Sequence, residues 1–112
     1  MRTNGMEQAY ALHRKVYGGA HQSRLLDQLC EECAELIVAV QHFRRGRHGI
    51  RNVIAEYADV IVSAGALLDT SELQEELRIT VNLAVEQLKI RLYELELAQH
   101  VADGGADMIF RR

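Results

Sequence analysis

Not one proline interrupts the 112 residues of this chain. Proline is the strongest helix breaker, because it lacks the N–H that the i→i−4 ladder needs and its ring clashes with the preceding turn. A chain without it can run in long helices, and glycine is left as the main punctuation. Most of the eight glycines sit at Gly18-Gly19, Gly46, Gly49 and Gly104-Gly105, and apolar residues recur at helical spacing between them. The pattern predicts a first helix from about Glu7 to Tyr17, with Asn4 as its cap. A second runs from Ser23 to Arg45 and a third from Arg51 to Leu68. A fourth starts at a capping box of Ser71 and Gln74 and reaches about Val101. The short loop from Arg44 to Gly49 makes the second and third helices antiparallel neighbours. The expected fold is all-α, a four-helix antiparallel bundle-like single domain over residues 1–112, with 102–112 as a disordered tail.

The fourth helix carries two apolar stripes. Leu73, Leu77, Val81, Ala84, Leu88, Leu92 and Leu95 share one side, and Ile79, Leu83, Ile90 and Leu97 lie nearly opposite. A helix buried on one face needs only the first. The second stripe predicts a homo-oligomer, a dimer or a tetramer, with one face packed inside the chain and the other against a second copy.

Acidic residues border the apolar faces of the two middle helices. In the second helix Leu25, Leu29, Leu36, Val40 and Phe43 define the buried side, and Glu32 lies among them. Glu35 projects from the same flank at i+3, while Glu31 points further outward. In the third, Val53, Tyr57, Val60, Ile61, Ala64 and Leu67 form the apolar side, with Glu56 at its edge and Asp59 at i+3. Carboxylates are costly beside a core unless they are paired or bind a cation. Four of them brought face to face repel until protons or a cation neutralise them. Oxygen-only ligands select a hard cation, so Glu32, Glu35, Glu56 and Asp59 are expected to hold Mg2+, with Mn2+ as a substitute. The helix-bundle di-iron pattern needs histidine at the third position, where this chain has Glu35 and Asp59.

Other features exclude function classes. A net charge of −3 argues against a nucleic-acid partner, which would call for a basic surface. Met1-Arg2-Thr3-Asn4-Gly5 has no apolar run behind it, and no stretch approaches the roughly 20 apolar residues that span a bilayer. No signal peptide, no membrane partner and a cytoplasmic location are therefore expected. Cys30 and Cys33 are expected in the core as small hydrophobes, since a zinc site would need partners with no matching spacing here. His13, His42, His48 and His100 show no ligand spacing and are expected to be exposed. Tyr10, Tyr17, Tyr57, Tyr93, Phe43 and Phe110 mostly serve packing, with one available to stack on a base.

Glu31-Glu32-Cys33-Ala34-Glu35 resembles the E-E-x-x-E motif of the all-α nucleoside triphosphate pyrophosphohydrolases, the MazG-like superfamily. Glu56-Tyr57-Ala58-Asp59 resembles the E-x-x-D that follows it there. The likeness covers roughly Tyr17 to Glu94 and looks most like the small phage-type or bacterial members. Asn52-Val53-Ile54-Ala55 is similar to the segment leading into the second motif, Gln22 matches a glutamine common upstream of the first, and Leu88-Lys89-Ile90-Arg91-Leu92 is similar to a basic run. The resemblance implies hydrolysis of a nucleoside triphosphate to nucleoside monophosphate and pyrophosphate, serving nucleotide-pool clean-up. It implies magnesium on Glu32, Glu35, Glu56 and Asp59. Glu31 and Glu32 are the catalytic candidates, with Glu31 free to orient or deprotonate the attacking water. Gln22, Asn52 and Lys89 are the candidates for substrate binding, with His21 and Gln22 bordering a base pocket. Arg44, Arg45, Arg47 and Arg51 suit either phosphate contacts or the dipole at a helix end. A phosphoribosyl-ATP pyrophosphohydrolase and a non-catalytic helical dimerisation module are the alternatives.

Overall fold

The computed structural model describes residues 4–19 and 23–104 and is helical throughout, with no strand among them. Helix α1 spans Asn4–His13 and passes directly into a π-helical turn, Arg14–Gly18. Helix α2 spans Ser23–Arg44, α3 Ile50–Leu67 and α4 Ser71–Ala102. The expected helices are thus present to within a few residues. The exception is the first, whose last turn widens to π geometry from Arg14 onward and ends at Gly18-Gly19, with Gly19 at φ +54°. Gln22 and His21, named as substrate candidates, lie outside the described residues, as do residues 105–112 of the expected tail. No helix among the described residues is long and apolar enough to cross a membrane.

The chain forms two compact units, Met1–Thr70 and Ser71–Arg112. In the first, α2 and α3 make the main contact, α1 packs on α3, and the π turn packs on α2. The α2 seam runs Leu25, Leu29, Glu32, Leu36, Ala39, and the α3 seam Val53, Glu56, Val60, Ser63, Leu67; all are buried or half-buried. Steps of three and four alternate along both, as they do where two helices interlock. Several expectations for these faces are corrected. Val40, Phe43 and Tyr57 are exposed, Tyr57 at 55%, because the α2 seam passes through Ala39 instead of Val40 and the α3 seam through Glu56 instead of Tyr57. Cys30 and Cys33 are exposed as well: each stands next to a seam position, at Leu29 and Glu32, and the 100° helical step turns it away.

Small residues on α3 let α1 come close. Ser63 is completely buried, Ala66 nearly so, and Gly65 carries the ring of Tyr10, itself only 6% exposed. Arg14 extends this contact, donating to an Asp69 carboxylate oxygen at 2.7 Å and to the Ala66 carbonyl at 3.4 Å.

The second unit is dominated by α4, which has no buried residue. Both apolar stripes are exposed, Leu88 at 67% and Ile90 at 63% among them. Ion pairs at i,i+3 line its polar positions, Arg78 with Glu75 at 2.6 Å and Lys89 with Glu86 at 3.1 Å.

Candidate metal centre

The α2–α3 hairpin decides which side chains meet. Arg47 donates its backbone N–H to the His42 carbonyl at 2.9 Å, and Gly46 donates to Phe43 at 3.0 Å, with Gly46 at φ +73°. This paired bond is the Schellman ending of a helix, which needs a left-handed residue at the Gly46 position. It folds the chain back sharply, and α3 begins at Ile50. Glu35 then meets Glu56 across the hairpin, while His42 and Asn52 line one groove nearer the loop.

Three of the four expected ligands converge. Glu32, Glu35 and Glu56 each offer a carboxylate oxygen, and these oxygens all lie within 4.8 Å of one another. Glu32 and Glu56 are half-buried and Glu35 is exposed. Gln28, one turn before Glu32, donates its side-chain amide to Glu32 Oε1 at 2.6 Å and fixes that carboxylate. The other oxygen, Glu32 Oε2, and Glu56 Oε2 are both buried without a hydrogen-bond partner. Such an oxygen has lost its water and gained nothing in return. The consequences appear in acidity. Desolvation raises the Glu32 pKa, opposed by the Gln28 hydrogen bond and reinforced by the charges of Asp59, Glu35 and Glu31. Desolvation likewise raises that of Glu56, helped by Glu35, which is close enough to share a proton with it, and by Asp59 and Glu32. The donor set is all oxygen, anionic and partly dehydrated, which fits a hard divalent cation.

Asp59 stands outside this trio. It is exposed, and its charge acts on Glu32 and Glu56 and also on His13 of α1. Glu31 is exposed beside Glu32. Lys89 lies on α4, paired with Glu86.

An open groove of about 410 Å³ adjoins the trio, with Glu35 and Glu56 at one end and Asn52, His42 and His48 further along. The Schellman turn returns His48 onto His42, and their rings sit 5.0 Å apart with a 30° tilt. His42 is half-buried, a correction to its expected exposure. His13 is corrected too. It is half-buried, its Nε2 lies 3.2 Å from Ser63 Oγ, and its ring stacks obliquely on Tyr17 at 4.7 Å. Burial lowers its pKa, against the opposing pull of Asp59. No spacing rule could have found the meeting of His13 with Ser63, because the two lie 50 residues apart.

Compared with protein-family models, with curated proteins and with solved structures, the chain matches none.

Proposed function

We propose that this protein is a divalent-cation-dependent nucleoside triphosphate pyrophosphohydrolase, releasing nucleoside monophosphate and pyrophosphate. The observation that carries the reading is the meeting of Glu32, Glu35 and Glu56 from two helices, with one buried oxygen on each of Glu32 and Glu56 lacking any partner. In this reading the three carboxylates hold Mg2+, or Mn2+ in its place, and Asp59 approaches from the flank. The bound cation supplies charge neutralisation of the triphosphate and a more acidic water. Gln28 keeps the Glu32 carboxylate in position, and Glu31, exposed next to it, orients the attacking water and accepts its proton. The two exposed stripes of α4 mediate assembly into a dimer or tetramer. The protein acts on nucleotide pools and not on nucleic acid, in a cytoplasmic setting.

A second reading draws on α4: a helix with no buried residue and two apolar stripes suits a non-catalytic dimerisation module. One assay separates the two. Wild type and Glu35→Ala are incubated with Mg2+ and a panel of nucleoside triphosphates plus phosphoribosyl-ATP, and pyrophosphate is measured. Release by the wild type, reduced at least about a hundredfold in the variant, supports the enzyme. Release from phosphoribosyl-ATP alone moves the assignment to histidine synthesis. No release from any substrate leaves the dimerisation module.

A further inference from the structure

We infer that the groove along α2 and α3 receives the nucleoside end of the substrate, with the His42–His48 ring pair as its stacking ledge and Asn52 as the group that contacts the base edge. This inference rests on the pyrophosphohydrolase reading and deepens it. The groove has a polarity. At one end stand Glu35 and Glu56, which repel a bare phosphate, so phosphate enters there only with its cation. The rest of the groove is bordered by Val38 and Ala39, two imidazole rings and one amide. Those groups carry no fixed negative charge and suit the uncharged half of a nucleotide.

The dimensions agree. From Glu35 to His42 is seven residues of helix, about 10 Å of rise, the length scale of a nucleoside. The groove of about 410 Å³ falls within the range of small-molecule sites, ~300–1,000 Å³. Its far end is also held in place: His42 belongs to α2, and the backbone bond from Arg47 to the His42 carbonyl sets the turn that brings His48 against it. At 5.0 Å between centroids the two rings back each other, leaving an outer face for a base. Asn52, in the first turn of α3 and one helical turn before Glu56, offers both a donor and an acceptor. Base selection is therefore built into the same hairpin that carries the carboxylates.

The full-length chain is titrated with adenosine, guanosine, cytidine, uridine and thymidine without metal, while the His42 and His48 ring protons are followed by NMR. At least one nucleoside shifts both rings, and His42→Ala weakens that binding about tenfold, as loss of a stacking face should. His42→Phe, which keeps a flat face, retains it. In the hydrolysis assay His42→Ala and Asn52→Ala raise KM for the preferred triphosphate about tenfold while kcat stays within about twofold. The inference is overturned if no nucleoside moves either ring, or if both variants keep the wild-type KM. Absence of pyrophosphate release by the wild type would instead remove the pyrophosphohydrolase reading, and the nucleoside titration would still decide whether the groove binds a base.

Discussion

Replacing Gly65 by alanine tests the packing that holds α1 against the hairpin. A Cβ built at Gly65 falls 2.1 Å from Tyr10 Cε1, 2.3 Å from Cζ and 2.7 Å from the hydroxyl. Carbon atoms rest at about 3.5 Å or more, so the ring must retreat by about 1.4 Å or leave its place. Tyr10 is only 6% exposed, and a retreat of that size has no room to occur freely. Shifting the ring within a packed interface costs about 1–3 kcal/mol. Expelling it exposes about 150 Å² or more, about 4 kcal/mol at ~25 cal/mol per Å². Against either stands about 1 kcal/mol gained when alanine replaces glycine inside a helix. The net expectation is a loss of about 0–2 kcal/mol if the ring shifts and about 3 kcal/mol if it is expelled, and each kcal/mol lowers Tm by roughly 4–8 °C in a unit of this size. Thermal and chemical denaturation followed by circular dichroism measure it. The same substitution in a Tyr10→Ala background should reverse sign and stabilise, since only the propensity gain remains. Gly65→Ala alone melting above the wild-type temperature would refute the close approach of Tyr10.

Other consequences can be measured on the same protein. Glu32 and Glu56 have pKa values raised on folding, so their contribution to stability is fully present below the ordinary glutamate range and is lost as pH rises through their raised values. In metal-free protein Glu56→Gln should therefore raise Tm at pH 7 and flatten its dependence on pH above the ordinary glutamate range, yet abolish any Tm increase on adding Mg2+; a variant less stable than wild type at pH 7 would contradict the crowding of these acids. Cys30 and Cys33 should both react with a colorimetric thiol reagent in native buffer, whereas a requirement for denaturant would restore the buried placement. Arg14→Ala should cost about 1 kcal/mol and lose most of that effect in high salt, because the Arg14–Asp69 bridge is partly exposed; a salt-independent loss would point to packing by the arginine stem instead.

The helices and three of the four expected acids were legible in the sequence because both follow from short-range rules. Helix limits came from glycine and the missing proline, and the convergence of Glu32, Glu35 and Glu56 came from i,i+3 spacing on two helices joined by a short loop. The side of each helix was less legible. Leu25, Leu29 and Leu36 set the α2 seam, but its next member is Ala39, whose small side chain gave way on the page to the larger Val40 beside it. Cys30 and Cys33 failed for a related reason, since cysteine is apolar enough for either side of a helix. Contacts made across α1 were invisible. His13 meeting Ser63 and Tyr10 meeting Gly65 join segments about 50 residues apart. The one available signal was Gly65 itself, a glycine inside an otherwise apolar helical run, which often marks a close approach.

The five-residue turn from Arg45 to Gly49 has a kinetic meaning. All three converging carboxylates belong to one hairpin, and only twenty residues lie between Glu35 and Glu56. Closing so short a loop costs little chain entropy, and the entropy cost grows only logarithmically with length. Contacts this local form early in folding. The acids should then meet before α1 docks on α3, and a cation bound at that stage would relieve their repulsion while the chain is still folding. Divalent cations should then speed refolding as well as slow unfolding.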